Sequence, residues 1–238
     1  MKNKYIDLIE QTFEFPQDEF SVVDNELNFH EVPLMDVIKQ YGTPLKVTYL
    51  PKITSQIQRA KRLFNVAMAK VDYRGNYNYC YCTKSSHFSL DAAIHTECKI
   101  GIRIASEEEP KFDFYTSRLG IRYNDIVEYY KTKIRSNKKF KLKMLHFFIN
   151  TGIKDTAYYW NELSKCLSVY CELKKICPEL DSLNIGGGFP IKNSLGFNYD
   201  YEYMTEEIVA QIKNICNLAE VEEPNLFTEF GSFTVGES

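Results

Sequence analysis

"LNIGGGFP" (residues 183–190) predicts a short apolar strand, expected over 183–189, that enters a turn made of three glycines. Because glycine has no Cβ, the backbone N–H groups of such a turn can approach an anion closely. The stretch is neither a Walker A loop, which needs Gly-Lys-Ser/Thr, nor the Gly-x-Gly-x-x-Gly of dinucleotide-binding folds. A phosphate-binding loop and a tight structural turn are both compatible with it.

Strand and helix patterns alternate on both sides of this turn. Strands are predicted at 77–83, 99–106, 141–150 and 225–230, and helices at 51–71, 122–134, 157–176 and 202–219. The first 40 residues predict a polar, partly helical lead-in, and "YGTPLKVTYL" (41–50) predicts a turn and a short strand. The alternation indicates an α/β fold with a parallel sheet or barrel, in which chemistry gathers at the carboxyl ends of the strands.

Two charged residues lie at such strand ends. In "NYNYCYCTKSSHF" (76–88) alternating tyrosines lead to Lys84, and in "NLFTEFGSF" (225–233) Glu229 follows the last predicted strand. Lys84 is either a rim residue that reaches water or an amine that forms a Schiff base in a partly desolvated pocket. Glu229 is either a solvent-facing strand end or the partner of a protonated pyridine nitrogen. A lysine, a carboxylate and a phosphate loop together favour pyridoxal phosphate (PLP) as cofactor.

Composition excludes several other classes of function. A net charge of -3 and a pI near 5.9 give no electrostatic footprint for nucleic acid, and no apolar run reaches the length of a membrane helix. The N-terminus does not resemble a signal peptide, so we expect a cytoplasmic protein with reduced cysteines. The four histidines are scattered and predict no metal site.

The order of motifs identifies a family. The runs "YGTPLKVTYL", "YCTKSS", "LHFFINTG", "LNIGGGFP" and "TEFGSF" occur in an order that resembles the fold-type III PLP-dependent decarboxylases. This family includes arginine, ornithine and diaminopimelate decarboxylases, and the details are most similar to the biosynthetic arginine decarboxylases. The resemblance implies a (β/α)8 TIM-like barrel of the alanine racemase type, from about residue 41 to the end.

The resemblance also assigns roles to residues. Lys84 matches the Schiff-base lysine, Glu229 the acid beside the pyridine nitrogen, and Thr151 stands where a phosphate-binding serine is usual. Lys84 and Glu229 are the expected catalytic residues. The remaining expected cofactor-binding residues are His146, Phe148, Gly186, Gly187, Gly188, Phe189, Gly231 and Ser232.

Two positions depart from the family pattern. Phe148 stands where a histidine commonly stacks on the cofactor ring, although His146 lies two residues earlier and is expected on the same face. Ser232 replaces an arginine that helps to hold the phosphate, which leaves phosphate binding to neutral donors. Arg103 in "IGIRIAS" is either directed into the barrel near the cofactor or part of an ion pair at the edge of the core.

The barrel is incomplete as given. Predicted strands begin about 40 residues apart, the usual length of one strand–helix unit, but residues 85–98 are too few for the units expected there. In comparison with the barrel of the family, strands three and four, most of strand two and the C-terminal β-domain have no counterpart in this sequence. We therefore expect an N-terminal lead-in (1–40) and a barrel (41–238) that lacks segments near 89–98 and after 238. We further expect that the sequence comes from a longer enzyme from which these segments are omitted, rather than from a shortened gene.

The implied activity is decarboxylation of a basic amino acid, with L-arginine converted to agmatine and CO₂ for polyamine biosynthesis. Ornithine, diaminopimelate or carboxynorspermidine decarboxylation is the alternative within enzymes, and a non-catalytic homologue that binds partner proteins is the alternative outside them. The family further implies a small-molecule substrate and a homodimer or higher homo-oligomer.

Overall fold

The structure is a computed structural model that describes residues 20–45, 50–80, 98–105, 119–149, 151–191 and 198–235. Its strands are β1 Phe20–Val23, β2 Glu26–Phe29, β3 Val32–Pro33, β4 Tyr77–Tyr79, β5 Cys98–Ala105, β6 Ile121–Arg122, β7 Phe140–His146, β8 Ser182–Asn184 and β9 Asn225–Thr228. Its helices are α1 Leu34–Tyr41, α2 Leu50–Lys70, α3 Tyr123–Tyr129, α4 Ala157–Ile176, α5 Tyr201–Leu218 and α6 Gly231–Val235.

The main sheet is parallel throughout, with strand order β4-β9-β8-β7-β5-β6. The connections β7-α4-β8-α5-β9 each place a helix outside the sheet, as parallel pairing requires. The first strand of this sheet therefore pairs with the last one, Tyr77 lying opposite Leu226. The described residues form part of an α/β barrel, which confirms the predicted fold class.

The long helices form because apolar residues recur at helical spacing and their first turns are capped. Thr156 accepts a hydrogen bond from the Tyr159 N–H at the start of α4, and Asp200 accepts one from the Tyr203 N–H at the start of α5. The face that α4 buries in the core includes Leu163 and Leu167. The predicted bounds 157–176 are those of α4, and those predicted for α2 and α5 differ from the observed ones by one residue at each end. None of the helices in the described ranges is long and apolar enough to cross a membrane.

The lead-in differs from its prediction. Helix α1 lies where partial helicity was expected, but 20–33 form an antiparallel three-stranded sheet. The reason is the turn at Asp24 and Asn25, which both adopt positive φ and so provide the backbone of a two-residue hairpin. The strand predicted within 41–50 falls on 46–49, outside the described residues, and Leu50 already begins α2.

Two further elements differ from prediction. The helix expected over 122–134 is α-helical only to Tyr129 and continues as a π-helical turn, Tyr130–Ile134, where the Arg135 N–H bonds the Tyr130 carbonyl. The strands predicted at 141–150, 183–189 and 225–230 also extend too far toward their carboxyl ends, whereas those predicted at 77–83 and 99–106 end outside the described residues. For example, β7 ends at His146, the last residue that pairs with β8, and the bond from the Phe147 N–H to the Asn184 carbonyl belongs to this pair.

Candidate active site

The carboxyl ends of the parallel strands form one edge of the sheet, and most of the predicted site residues lie there. His146 ends β7, the glycine run follows β8, and Glu229 follows β9. Lys84 follows β4 in the sequence but lies outside the described residues. The edge thus brings together the carboxylate and the glycine turn that the sequence places 40 residues apart.

Asn184 connects these two features. Its Nδ2 donates to Glu229 Oε1 at 2.6 Å, and its Oδ1 accepts the Gly186 N–H at 2.8 Å. The Glu229 N–H in turn donates to the Gly186 carbonyl at 2.9 Å. Both the side chain and the backbone of Glu229 are therefore held next to the glycine turn. Because the N–H of Gly186 is already bonded, this amide does not point at an external anion.

The glycine turn packs too closely for side chains. A Cβ on Gly187 would lie against the Glu229 carbonyl oxygen, and Gly188, at φ +98°, would bring a Cβ within 2.7 Å of the Gly152 Cα. The turn after β8 is thus in backbone contact with the loops after β7 and β9. Ile153, on the β7–α4 loop, also donates its N–H to the Gly188 carbonyl at 3.0 Å.

Thr151 lies on this same β7–α4 loop. Its Oγ1 is buried and has no hydrogen-bond partner within the part of the chain that the structure describes. A buried hydroxyl without a partner costs free energy of folding, which indicates that it has a functional role such as binding a ligand. Next to a turn of glycines, that role fits a donor to a phosphate oxygen.

Arg103 on β5 and Phe148, which follows the end of β7, form a cation–aromatic pair. The Arg103 guanidinium carbon is 5.0 Å from the centre of the Phe148 ring, and the Arg103 Nε is buried without a hydrogen-bond partner among the described residues. The alternative in which Arg103 is directed into the barrel is therefore favoured over an ion pair at the edge of the core. Phe148 also faces the glycine turn, since a Cβ on Gly186 would contact its ring.

His146 is in electrostatic contact with both charges of the site. Burial lowers its pKa, the Glu229 carboxylate opposes this effect, and the Arg103 cation adds to it. The net lowering favours the neutral imidazole, so this histidine supplies no fixed positive charge. Acidification would have to charge a buried group, which destabilises the fold as the pH falls below about 6.5, the ordinary histidine value.

Three predicted residues have surroundings that limit their roles. The Phe189 side chain is buried in an aromatic cluster, stacked on Phe230 with ring centres 4.0 Å apart, so only its backbone borders the site. Ser232 is exposed in α6, and the Gly231 N–H donates to the Glu229 carbonyl at 2.9 Å. Among these three residues, Gly231 is hydrogen-bonded to the backbone of the proposed acid.

Sequence reasoning missed Asn184 and Gly152. A polar residue within the apolar "LNI" and directly before the glycines was a signal for Asn184, since a buried amide needs partners. Gly152 follows Thr151 at φ +76° and lies against the Gly188 carbonyl, a contact between loops that no local pattern reveals.

Residues 52–236 match the family of pyridoxal-dependent decarboxylases, in the part described as the pyridoxal binding domain. The chain belongs to this family. Its members among curated proteins include the biosynthetic arginine decarboxylase of Geobacter sp., which is 28% identical over 149 residues, 58% of this chain and 24% of that protein. The chain thus matches only about a quarter of that relative's length.

Solved structures agree on the fold. The biosynthetic arginine decarboxylase of Campylobacter jejuni matches 98% of this chain and 52% of its own with a TM-score of 0.66 and 17% identity. The diaminopimelate decarboxylase of M. jannaschi matches 92% of this chain and 67% of its own with a TM-score of 0.73 and 14% identity. At these identities the likeness establishes the barrel fold and not the substrate.

Pyridoxal phosphate is the cofactor of this family, and the residues of this chain fit it. The buried Thr151 hydroxyl and the glycine turn, where a Cβ would fill the available space, suit a phosphate group. The Glu229 carboxylate, held by Asn184, suits the protonated nitrogen of a pyridine ring.

Proposed function

We propose that this chain forms the cofactor-binding barrel of an enzyme that decarboxylates a basic amino acid, and that L-arginine, which yields agmatine and CO₂, is its preferred substrate. Two curated arginine decarboxylases support this choice. One is 28% identical over 58% of the chain, and the other is 30% identical over 48% of it. The fold alone is equally compatible with diaminopimelate as substrate.

One observation carries the proposal: the Glu229 carboxylate is fixed at the carboxyl edge of the sheet by the Asn184 amide at 2.6 Å. When bound, pyridoxal phosphate supplies an electron-accepting ring. Glu229 holds a proton at the ring nitrogen, because an ionised carboxylate in a partly desolvated site stabilises an adjacent cation. Thr151 and the glycine turn hold the phosphate, and Lys84 is the proposed point of covalent attachment.

The experiment offers the purified protein, loaded with pyridoxal phosphate, equal concentrations of L-arginine, L-ornithine, L-lysine and meso-diaminopimelate. We expect CO₂ release to be fastest with L-arginine and the product to have the mass of agmatine. After borohydride reduction, peptide mapping should find the pyridoxyl group on Lys84.

The variant Glu229→Gln tests the acid directly. It keeps the shape of the side chain but removes the charge, so kcat should fall about 100-fold or more while KM changes little. Asp181→Asn is the matched control, because Asp181 precedes the other end of β8 and bonds Lys143 instead. We expect its kcat to stay within about twofold of the original, as is usual for changes away from a site.

Other outcomes would redirect the assignment. Cofactor bound on Lys84 with no CO₂ from any amino acid would identify a non-catalytic homologue. Full turnover in Glu229→Gln would refute the role of the carboxylate, and a pyridoxyl group on another lysine would refute that of Lys84.

A further inference from the structure

We propose that Asn184 is a positioning residue that fixes the Glu229 carboxylate at a set distance from the glycine turn, so that the ring nitrogen and the phosphate of the cofactor are bound by one rigid unit. This inference rests on the proposed function of the same site. It assigns a role to a residue that contributes no group to the chemistry itself.

Asn184 is well placed for this task. It is the last residue of β8, it pairs with His146 on β7 and with Phe227 on β9, and only 5% of it is exposed. Its carbonyl also accepts the Phe147 N–H at 2.7 Å. The backbone of Asn184 is therefore held from both sides, and its side chain has little freedom to move.

The hydrogen bonds of its amide decide which end faces the carboxylate. The Gly186 backbone N–H is a donor and lies 2.8 Å from one end of the amide, so that end must be the oxygen, Oδ1. The NH₂ group is then the end that lies 2.6 Å from Glu229 Oε1. Oε1 therefore acts as an acceptor in this contact, and hydrogen bonds to carboxylate oxygens are among the stronger ones in proteins.

A backbone hydrogen bond also joins Glu229 to the glycine turn. The Glu229 N–H donates to the Gly186 carbonyl at 2.9 Å, so Gly186 donates to Asn184 and accepts from Glu229, while Asn184 donates to Glu229. The close approach of Gly187 to the Glu229 carbonyl oxygen leaves no room for the loops after β8 and β9 to slide. Among common side chains of this size, only an amide carries a donor and an acceptor on one planar group. The hydrogen bonds to Glu229 and from Gly186 require both.

The test is a double-mutant cycle on cofactor affinity. The dissociation constant of pyridoxal phosphate is measured by spectroscopic titration for the original protein, Asn184→Leu, Glu229→Gln and the double variant, together with the melting temperature of each without cofactor. Asn184→Leu keeps the branching and the number of side-chain heavy atoms and removes both hydrogen bonds. Asn225→Leu is the matched control, because Asn225 lies on the adjacent strand at the opposite edge and bonds Asn76 and Asp181.

We expect Asn184→Leu to weaken cofactor binding about tenfold, the effect of one hydrogen bond to a charged group. The double variant should bind no more weakly than Glu229→Gln alone, since the two residues act through one interaction. Asn225→Leu should lower the melting temperature but leave the dissociation constant within about twofold. If Asn184→Leu does not fold, Asn184→Ser, which is smaller, replaces it in the cycle.

Two results would overturn the inference. One is unchanged affinity in a folded Asn184 variant, and the other is a double variant whose loss equals the product of the two single losses. Either result, with amino-acid decarboxylation intact in the original protein, would refute the role of Asn184 and leave the proposed function standing. An original protein that does not bind pyridoxal phosphate would refute both.

Discussion

Single side chains at the carboxyl edge of the sheet carry polar atoms that the described protein leaves unpaired. Arg103 Nε, His146 Nε2 and Thr151 Oγ1 are all buried without a hydrogen-bond partner in the described ranges. Most buried polar groups in folded proteins are paired, so three such atoms near one edge support our proposal that a ligand binds there.

Thr151→Ala should separate the stability of the protein from its affinity for the cofactor. Without cofactor, the variant should be as stable as the original protein or slightly more stable, because it loses a buried hydroxyl that has no partner among the described residues. With cofactor, its dissociation constant for pyridoxal phosphate should rise about tenfold, as expected for one hydrogen bond to a charged group. Both quantities are obtained from thermal melts and spectroscopic titrations.

Thr151→Ser should retain most of the affinity, and Thr132→Ala is a control, since Thr132 bonds its own helix at the Glu128 carbonyl. An unchanged dissociation constant in Thr151→Ala would show that the phosphate is held elsewhere.

At the scale of elements, the site is made by three loops whose backbones touch. The turn after β8 contacts the loop after β7 through Gly188 and Gly152, and the loop after β9 through Gly187 and Glu229. Glycine is required at these positions because backbone atoms, which cannot rotate away, occupy the space of a side chain.

Gly187→Ala should destabilise the fold by about 1–3 kcal/mol, the usual cost of forcing an extra methyl group into a packed site. Gly101→Ala is the matched control, because a Cβ on Gly101 in β5 would lie 3.4 Å from the Met144 Cβ, an ordinary contact. It should be neutral or stabilising by up to about 1 kcal/mol, since alanine loses less backbone freedom than glycine. Urea unfolding measures both, and equal effects of the two changes would contradict the packing described for the turn.

The sequence predicted the helices and the order of the elements well, and the ends of the strands less well. Periodicity determines where α4 begins and ends, but β7 and β8 end where hydrogen bonds to neighbouring strands end, and such partners are distant in sequence. The same reason explains the site. Glu229 and the glycine turn were predicted from local patterns, whereas Asn184 and Gly152 matter through contacts with other loops.

At the scale of the whole molecule, the pairing of β4 with β9 joins the two ends of the barrel sequence. Tyrosines near β4 strengthen it: Tyr73 donates to the Pro224 carbonyl at 2.8 Å, and Tyr79 donates to the Phe230 carbonyl at 3.0 Å. Burial raises the pKa of Tyr73 far above its ordinary value, so its hydroxyl stays protonated and can always donate.

Tyr73→Phe should lower the free energy of unfolding by about 1–3 kcal/mol, because the buried Pro224 carbonyl would lose its donor. Tyr129→Phe serves as the control, since Tyr129 is 42% exposed and water can replace its contacts. Its effect should stay within about 0.5 kcal/mol. Chemical denaturation of both variants measures the difference, and an equally small effect at Tyr73 would show that this hydrogen bond does not hold the ends of the barrel together.

The β4–β9 pairing also sets the order of events when the protein is made. Tyr77 and Thr228, which bond across these strands, are 151 residues apart in this sequence, and the barrel segments expected near 89–98 would add to that distance. A ribosome adding about 5–20 residues per second therefore needs roughly 8–30 s or more to cover it. During this time the nascent chain contains β4, and the lysine that follows it, without the strand that leads to Glu229. A ligand that requires both groups can therefore be captured only when synthesis of this region is nearly finished.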